Sequence, residues 1–181
     1  MIIDTANYGF CLFSYEKILS FFAENKKTRT KQLLDFFEKN HDFYIQSLKT
    51  GVWFPIPQIN SGTYKIEIIN HDIEHFFHYD GFNLEITDHY IWICDIGELS
   101  SFDKSLFQNT DEIHYYTLDN KKIVSAIKIP MNNGKYLVSI FGSMQNNVPC
   151  FSFQFKPANS FESLKDPRED DIYDFNVSNY L

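Results

Sequence analysis

Three histidines in residues 70–80 have types and spacing that could bind a metal ion. If this stretch were helical, His71, His75 and His78 would lie on one face, at steps of four and three residues. Two imidazoles at that spacing can share a zinc ion, with a carboxylate as third ligand. The metalloprotease pattern is not met, because Asp72 rather than Glu follows the first histidine. Short polar turns rich in His and Asp often bind nothing, so we expect no metal and no cofactor. Two alternatives stay open: a small metal- or histidine-dependent enzyme that uses this cluster, and a structural or scaffold domain.

Other catalytic patterns are missing from the sequence. The seven glycines are scattered singly, so there is no Gly-x-Gly-x-x-Gly, no Walker loop and no Gly-x-Ser-x-Gly elbow. His89 and His114 could each act as a general base, but the sequence supplies no oriented partner for either. We therefore expect that the protein is not an enzyme.

The cysteines and the N-terminus indicate where the protein works. Cys11, Cys94 and Cys150 are odd in number and far apart, which does not suit a disulfide framework and favours buried free thiols in a reducing compartment. Cys94 and Cys150 each lie in an apolar run that predicts a core strand. No basic segment precedes an apolar run at the start, and the longest apolar stretches have four or five residues. We expect a cytoplasmic protein without a membrane segment.

Hydrophobic periodicity divides the chain into a helical part and a β part. Ser14 can cap a first helix, and Thr28 or Thr30 a second whose apolar positions recur at three- and four-residue steps up to Leu48. Gly51 stands where a C-terminal cap belongs. From residue 52 onward the period is two, and Asn133-Gly134 predicts a hairpin between strands at 122–130 and 135–141. The two prolines of 53–57 restrict that segment to an edge strand.

These elements predict an α+β fold in which the N-terminal helices pack on a mostly antiparallel β-sheet. We expect the sheet to be a meander, which could be strongly curved, because six or more strands follow one another through short turns. No linker or repeat interrupts the 181 residues, so we expect a single domain over 1–181. Its helical part spans 14–50, its mainly β part 52–156, and an acidic C-terminal segment 157–181.

Charge is distributed unevenly along the chain, whose formal net charge is −8. Residues 67–119 hold twelve carboxylates and one lysine, a net charge of −11, whereas residues 120–156 hold five lysines and no acid. The C-terminal 25 residues are again acidic, with a net charge of −4. A run of like charge is often only a solvated face, but it can also present a negative surface to a positive partner. An acidic chain is a poor ligand for nucleic acid, so we expect none.

As a class, the chain resembles the immunity proteins of bacterial contact-dependent growth inhibition and other polymorphic toxin systems. It is small and acidic, and aromatic residues make up 18% of it. The resemblance implies an antitoxin-like inhibitor that binds the C-terminal domain of a secreted toxin, often a basic nuclease. Acidic and aromatic residues would carry such an interface, because aromatic side chains anchor it and carboxylates pair with Lys and Arg. The partner-binding residues that we predict are Asp80, Glu85, Asp88, Asp95, Glu98, Asp103, Glu169, Asp170, Asp171, Tyr173 and Asp174.

Overall fold

The structure, a computed structural model, describes residues 1–181 and contains four α-helices and ten β-strands. The helices are α1 (Tyr15–Glu24), α2 (Leu33–Lys39), α3 (His41–Lys49) and α4 (Lys104–Asn109). The strands are β1 (Ile2–Thr5), β2 (Gly9–Phe13), β3 (Trp53–Pro57), β4 (Gly62–Ile68), β5 (Phe77–Ile86), β6 (Tyr90–Asp95), β7 (Glu112–Tyr116), β8 (Lys122–Pro130), β9 (Gly134–Gln145) and β10 (Val148–Ala158). This content confirms the predicted α+β class.

The strands form two sheets of five rather than one meander. The first sheet has the order β1-β4-β10-β9-β5 and the second the order β3-β2-β6-β8-β7. Every neighbouring pair is antiparallel except β4 and β10, which run parallel. The mostly antiparallel prediction is confirmed, but consecutive strands often lie in different sheets. The proline-containing β3 is an edge strand, as predicted.

Two hydrophobic cores result, one on each side of the second sheet. Alternate residues of β2 point to opposite faces, so that Phe10 and Leu12 enter a core shared with the first sheet, while Cys11 and Phe13 face the helices. All five residues of β2 are buried for this reason. The molecule is therefore layered as sheet, sheet and helices, and the predicted cover of N-terminal helices lies on the second sheet.

The N-terminal part differs from the sequence prediction in two ways. Residues 2–13, left outside the predicted elements, form β1 and β2. The predicted second helix is broken at Asn40, whose φ of −132° and ψ of 77° are not helical, and this gives α2 and α3. Ser14 precedes α1 as predicted, but its hydroxyl makes no cap bond and donates instead to Asp88. Gly51 has a positive φ of 64° just after α3, in agreement with its predicted role.

The hairpin predicted at Asn133-Gly134 is wrong. β8 belongs to the second sheet and β9 to the first, so this turn carries the chain between sheets. The tight hairpin joins β9 to β10 through Asn146 and Asn147, whose φ values are 52° and 62°. Positive φ at both positions is what a two-residue type I′ turn requires, and Asn tolerates it better than most residues.

The last 23 residues pack against the body of the fold with little regular structure apart from a 3-10 turn at Val177–Tyr180. Phe175 and Val177 enter the core between the sheets and anchor the segment there. No helix of the molecule is long and apolar enough to cross a membrane.

Candidate partner-binding surface

The C-terminal segment covers the outer edge of β5, which is the last strand of the first sheet. Asn83 on that strand donates from its side-chain amide to the carbonyl of Glu162 (3.2 Å) and accepts from the Glu162 N–H (3.2 Å). Lys165 donates to the carbonyl of Asp80 (2.7 Å) and lies 3.4 Å from its carboxylate. An uncovered edge strand would be a site of unwanted strand pairing. The acidic segment thus has a structural role, and that role fixes its position.

The docking of the C-terminal segment brings Asp80, an acid of residues 67–119, next to the acids of residues 157–181. Burial raises the pKa of the Tyr173 hydroxyl most, and the charges of Asp170 and then Asp80 raise it further. Tyr173 packs edge-on against Tyr79, with ring centroids 5.2 Å apart. Around these two tyrosines lie residues predicted from both acidic regions. We call the set Asp80, Asp170, Asp171, Tyr173 and Asp174, together with Tyr79 and Ile172, the tail surface.

The tail surface is held by hydrogen bonds within itself. The Asp174 N–H donates to the Tyr79 hydroxyl (3.1 Å), and the carboxylate of Asp174 accepts from Asn176 and Asn179 (3.0 and 2.9 Å). Asp170 accepts from the N–H of Asp166 (2.9 Å). Between these fixed carboxylates, Asp171 and Ile172 project outward, and Ile172 is 72% exposed. The surface is preorganised, and exposed Asp171 and Ile172 are neighbours in sequence.

A buried carboxylate supports one end of this surface. Asp166 is 4% exposed and accepts from the Tyr44 hydroxyl (2.5 Å) and from the N–H groups of Arg168 and Glu169 (2.9 and 3.3 Å). Burial, followed by the bond to Asp166, raises the pKa of Tyr44. Glu169 points toward α3 and lies 3.2 Å from His41. Glu169 therefore borders the helical layer rather than the tyrosines.

Glu85 and Asp88, also predicted for the interface, are bound to the start of α1. Glu85 forms an ion pair with Lys17 at 2.5 Å, and both side chains are largely covered. Asp88 accepts from the Ser14 hydroxyl, which in turn accepts from the N–H of Thr87 (3.0 Å). These carboxylates connect the first sheet to the helical layer.

Asp95 is the last residue of β6, and it is buried rather than displayed. Its oxygens accept from the N–H groups of Ala6, Asn7 and Gly97 (2.7, 3.2 and 2.6 Å) and from the Asn7 amide (2.8 Å). Because three of these four donors belong to the connection between β1 and β2, Asp95 holds that turn in place. Glu98, three residues on, is partly exposed in a cleft of about 270 Å³ beside Asp4 and Tyr115.

Asp103 lies in a different environment again. It caps α4 by accepting from the N–H and the hydroxyl of Ser105 (both 2.9 Å), and these bonds hold its pKa below the usual range. It lines a groove among basic side chains, including Lys31. The predicted residues therefore fall into five groups, of which only the tail surface joins both acidic regions.

The histidine cluster does not form the helical face that a shared zinc ion would need. Residues 69–76 are not helical, and His78 is in β5. His78 stacks on Phe141 with ring centroids 4.2 Å apart, and His75 packs edge-on against the same ring. No group of three or more His, Cys, Asp or Glu side chains is arranged to hold a metal ion.

His89 borders an open depression beside Tyr90 and Met131, whereas His114 is exposed on the surface and the Cys150 thiol is buried. His114 lies 3.0 Å from Glu112 on the exposed edge strand β7. His89 has a positive φ of 64° and contacts the Asn133 amide at 3.3 Å. Burial raises the pKa of the Cys150 thiol, which makes it a weaker nucleophile at neutral pH.

One exposed aromatic feature was not predicted. The hairpin from β7 to β8 displays Tyr115, Tyr116 and Leu118, and Leu118 is fully exposed. Its turn is fixed by bonds of Thr117 to Lys121 and Asp119. No sequence signal showed that β7 is an edge strand with exposed side chains on both of its faces.

No protein-family model and no curated protein matches the chain. Among solved structures, the chain is similar to the crystal structure of ComJ, inhibitor of the DNA degrading activity of NucA, from Bacillus subtilis. The TM-score is 0.46 and the identity 8%, and the match covers 87% of this chain and 94% of that chain. A likeness of this degree does not indicate a shared function, so we argue from the contacts of this chain alone.

Proposed function

We propose that the protein binds a basic protein partner and neutralises it, as an immunity protein would inhibit the nuclease C-terminal domain of a secreted bacterial toxin. The observation that carries this proposal is the meeting of Asp80 with Asp170 and Asp174 around Tyr79 and Tyr173. Two acidic regions that are far apart in sequence contribute to one surface.

The composition of the tail surface suits recognition of a positive partner. Tyrosine gives a large contact area at little cost in side-chain entropy, and carboxylates at the rim attract Lys and Arg of the partner and orient them. Exposed Ile172 supplies an apolar contact between the acids. The internal bonds of Asp174 and Asp170 mean that little ordering is needed on binding, which favours affinity.

The test uses a pair of substitutions that remove charge without disturbing the fold. Asp171 makes no hydrogen bond, and Asp80 contributes only an exposed ion pair, of a kind worth less than about 1 kcal/mol. The double variant Asp80→Asn/Asp171→Asn is compared with Glu16→Gln/Glu24→Gln, which removes the same charge from exposed positions of α1. The probe is the C-terminal domain of a secreted protein encoded next to this chain, and stopped-flow association is followed at several salt concentrations.

We expect the tail variant to associate several-fold more slowly at low salt and to lose much of the salt dependence, while the α1 variant stays close to the unchanged protein. Nuclease activity of the probe is measured on plasmid DNA. With the tail variant, this activity should appear at a lower ratio of probe to inhibitor than with the unchanged protein. If the two variants had equal effects, the acidic side chains of the tail surface would be only solvated surface charges and would form no specific interface. Unchanged binding of the tail variant would place the interface elsewhere.

A further inference from the structure

A second surface of opposite charge lies in the helical layer. The chain between α1 and α2, together with α2 itself and residues 100–105, encloses a groove of about 1290 Å³. Four of its lining side chains are cationic: Arg29, Lys31, Lys39 and Lys104. Lys26 and Lys27 precede Arg29 and Lys31 on the loop between α1 and α2.

Most of these cations have no carboxylate partner. Seven of the 16 Lys and Arg side chains form ion pairs, and of the nine that do not, five are Lys26, Lys27, Arg29, Lys31 and Lys104. In the groove only Lys39 is paired, with Asp35 at 3.9 Å. The other acid of the groove, Asp103, already accepts two bonds from Ser105. An acidic protein thus concentrates unpaired positive charge in one place.

The two walls of the groove are tied together. Lys104 donates to the carbonyl of Thr28 (2.9 Å), and the N–H of Phe102 donates to the carbonyl of Lys31 (2.8 Å). The loop is folded by further backbone bonds, from Lys27 to Phe22 (2.7 Å) and from Thr30 to Lys27 (3.1 Å). The cations therefore project from a defined frame.

Several other lining residues are donors that suit phosphate oxygens. Phosphate groups are bound in proteins by Arg and Lys together with Ser, Thr, Asn and Gln side chains. The groove presents Thr28, Thr30, Gln32, Ser100 and Ser101 beside its cations. Its volume exceeds the roughly 300–1,000 Å³ of most small-molecule pockets, so an extended ligand fits it better than a single ion.

We infer that this groove binds a ligand carrying several phosphate groups, of the chemistry shared by nucleotides and short single-stranded oligonucleotides. The sequence-based expectation of no nucleic acid came from the overall charge, whereas binding depends on the charge close to the phosphates. The net charge of −8 still opposes approach from a distance. The contacts with the phosphates release bound counterions, so binding should weaken as the salt concentration rises.

The experiment measures fluorescence anisotropy of a labelled ten-nucleotide single-stranded DNA at several salt concentrations. Each neutralised phosphate contributes about −0.7 to the slope of log K against log salt, so three cations give a slope of about −2. Arg29→Glu/Lys31→Glu, at two exposed loop positions, should weaken binding at least tenfold. Lys49→Glu/Lys156→Glu changes the net charge equally at exposed positions outside the groove lining and should leave binding nearly unchanged.

Competition identifies the source of the phosphates. Displacement of the oligonucleotide by a nucleoside triphosphate at similar concentration assigns the groove to nucleotides, and resistance to it assigns the groove to the longer chain. Three results would overturn the inference: no binding of either probe at low salt, equal weakening by both double variants, or equally good displacement by polyglutamate. Circular dichroism and thermal melting of both variants establish that each is folded.

Discussion

The Sγ atoms of Cys11 and Cys94 lie 3.3 Å apart, at directly opposed positions of β2 and β6. Both residues are completely buried beneath the helices, and Cys150 is buried on the other sheet. Burial raises the pKa of the Cys94 thiol, so its reactive thiolate form is suppressed. The predicted buried free thiols are present, and two of them are partners across strands.

The folded protein should therefore resist thiol modification. We expect a disulfide-exchange reagent at pH 8 to modify no cysteine rapidly in buffer and all three in urea, because only the unfolded chain exposes them. Absorbance of the thiol released from the reagent measures the rate and extent of modification in buffer and in urea. In a Cys11→Ala/Cys94→Ala variant, Cys150 should remain protected. Fast labelling of any thiol without denaturant would contradict the described packing.

Asp95 should matter for stability, whereas its neighbour Glu98 should not. Asp95→Ala leaves the N–H groups of Ala6, Asn7 and Gly97 without their acceptor, and we expect it to lower the free energy of unfolding by about 3 kcal/mol. Glu98→Ala removes a partly exposed carboxylate with no hydrogen bond, and should change it by less than about 0.5 kcal/mol. Urea unfolding followed by fluorescence of the buried Trp53 and Trp92 measures both values. Similar costs for the two variants would show that Asp95 is not the anchor of the turn.

The stability of the protein should fall in alkali. Burial raises the pKa of Tyr64 from 10.0 to about 12. A group whose pKa is higher in the folded state stabilises that state fully below its unfolded pKa, and the contribution is lost as the pH rises. We therefore expect the urea midpoint to decline from about pH 10 to pH 12.

Tyr64→Phe tests the origin of this decline. The variant loses the bond from the Tyr64 hydroxyl to the Asn60 carbonyl (2.7 Å), so it should be less stable at pH 8 by about 1 kcal/mol. The urea midpoint of the variant should also decline less steeply above pH 10. Phenolate absorbance should show one fewer late-titrating tyrosine. Parallel pH profiles for the two proteins would assign the alkaline loss to other groups.

The β9–β10 turn allows a test that contrasts two substitutions at one position. Asn147 has a φ of 62° and an exposed side chain without hydrogen bonds. Asn147→Ala should lower the free energy of unfolding by about 1 kcal/mol, because alanine has a Cβ atom and no polar side chain and therefore disfavours the left-handed region. Asn147→Gly should cost nothing or stabilise, since glycine adopts that region freely. Thermal melting measures both, and equal melting temperatures would mean that the turn is not of the I′ type.

Local pattern was enough to predict most strands and the position of the N-terminal helices, whereas α4 was not predicted. β8 was predicted at its observed limits, 122–130, because its flanking turn residues mark both ends. The pairing of strands was not predictable in this way. Asn133-Gly134 has the signature of a hairpin, yet the apolar strands on either side of it find better partners in different sheets.

The grouping of the predicted interface residues could not be predicted for a similar reason. Composition identified the acids at 80 and 170–174, but only the docking of the C-terminal segment on β5 shows that they meet. Asp95 illustrates the opposite case. Its position after an apolar strand suggested an exposed loop, and the donors that bury it come from residues 6 and 7, far away in sequence.

The parallel pairing of β4 with β10 sets the order in which the protein can be completed during synthesis. Lys65 on β4 can pair with Cys150 only after β10 has been synthesised. The core between the sheets is complete only when Phe175 and Val177 have been added as well. Until β10 has left the ribosome, β1 and β4 have no centre strand to pair with. Nascent chains of this kind expose strand edges and apolar surface for a long time, which makes them substrates for chaperones and prone to aggregation. A chain released before β10 is made would lack the middle of its first sheet.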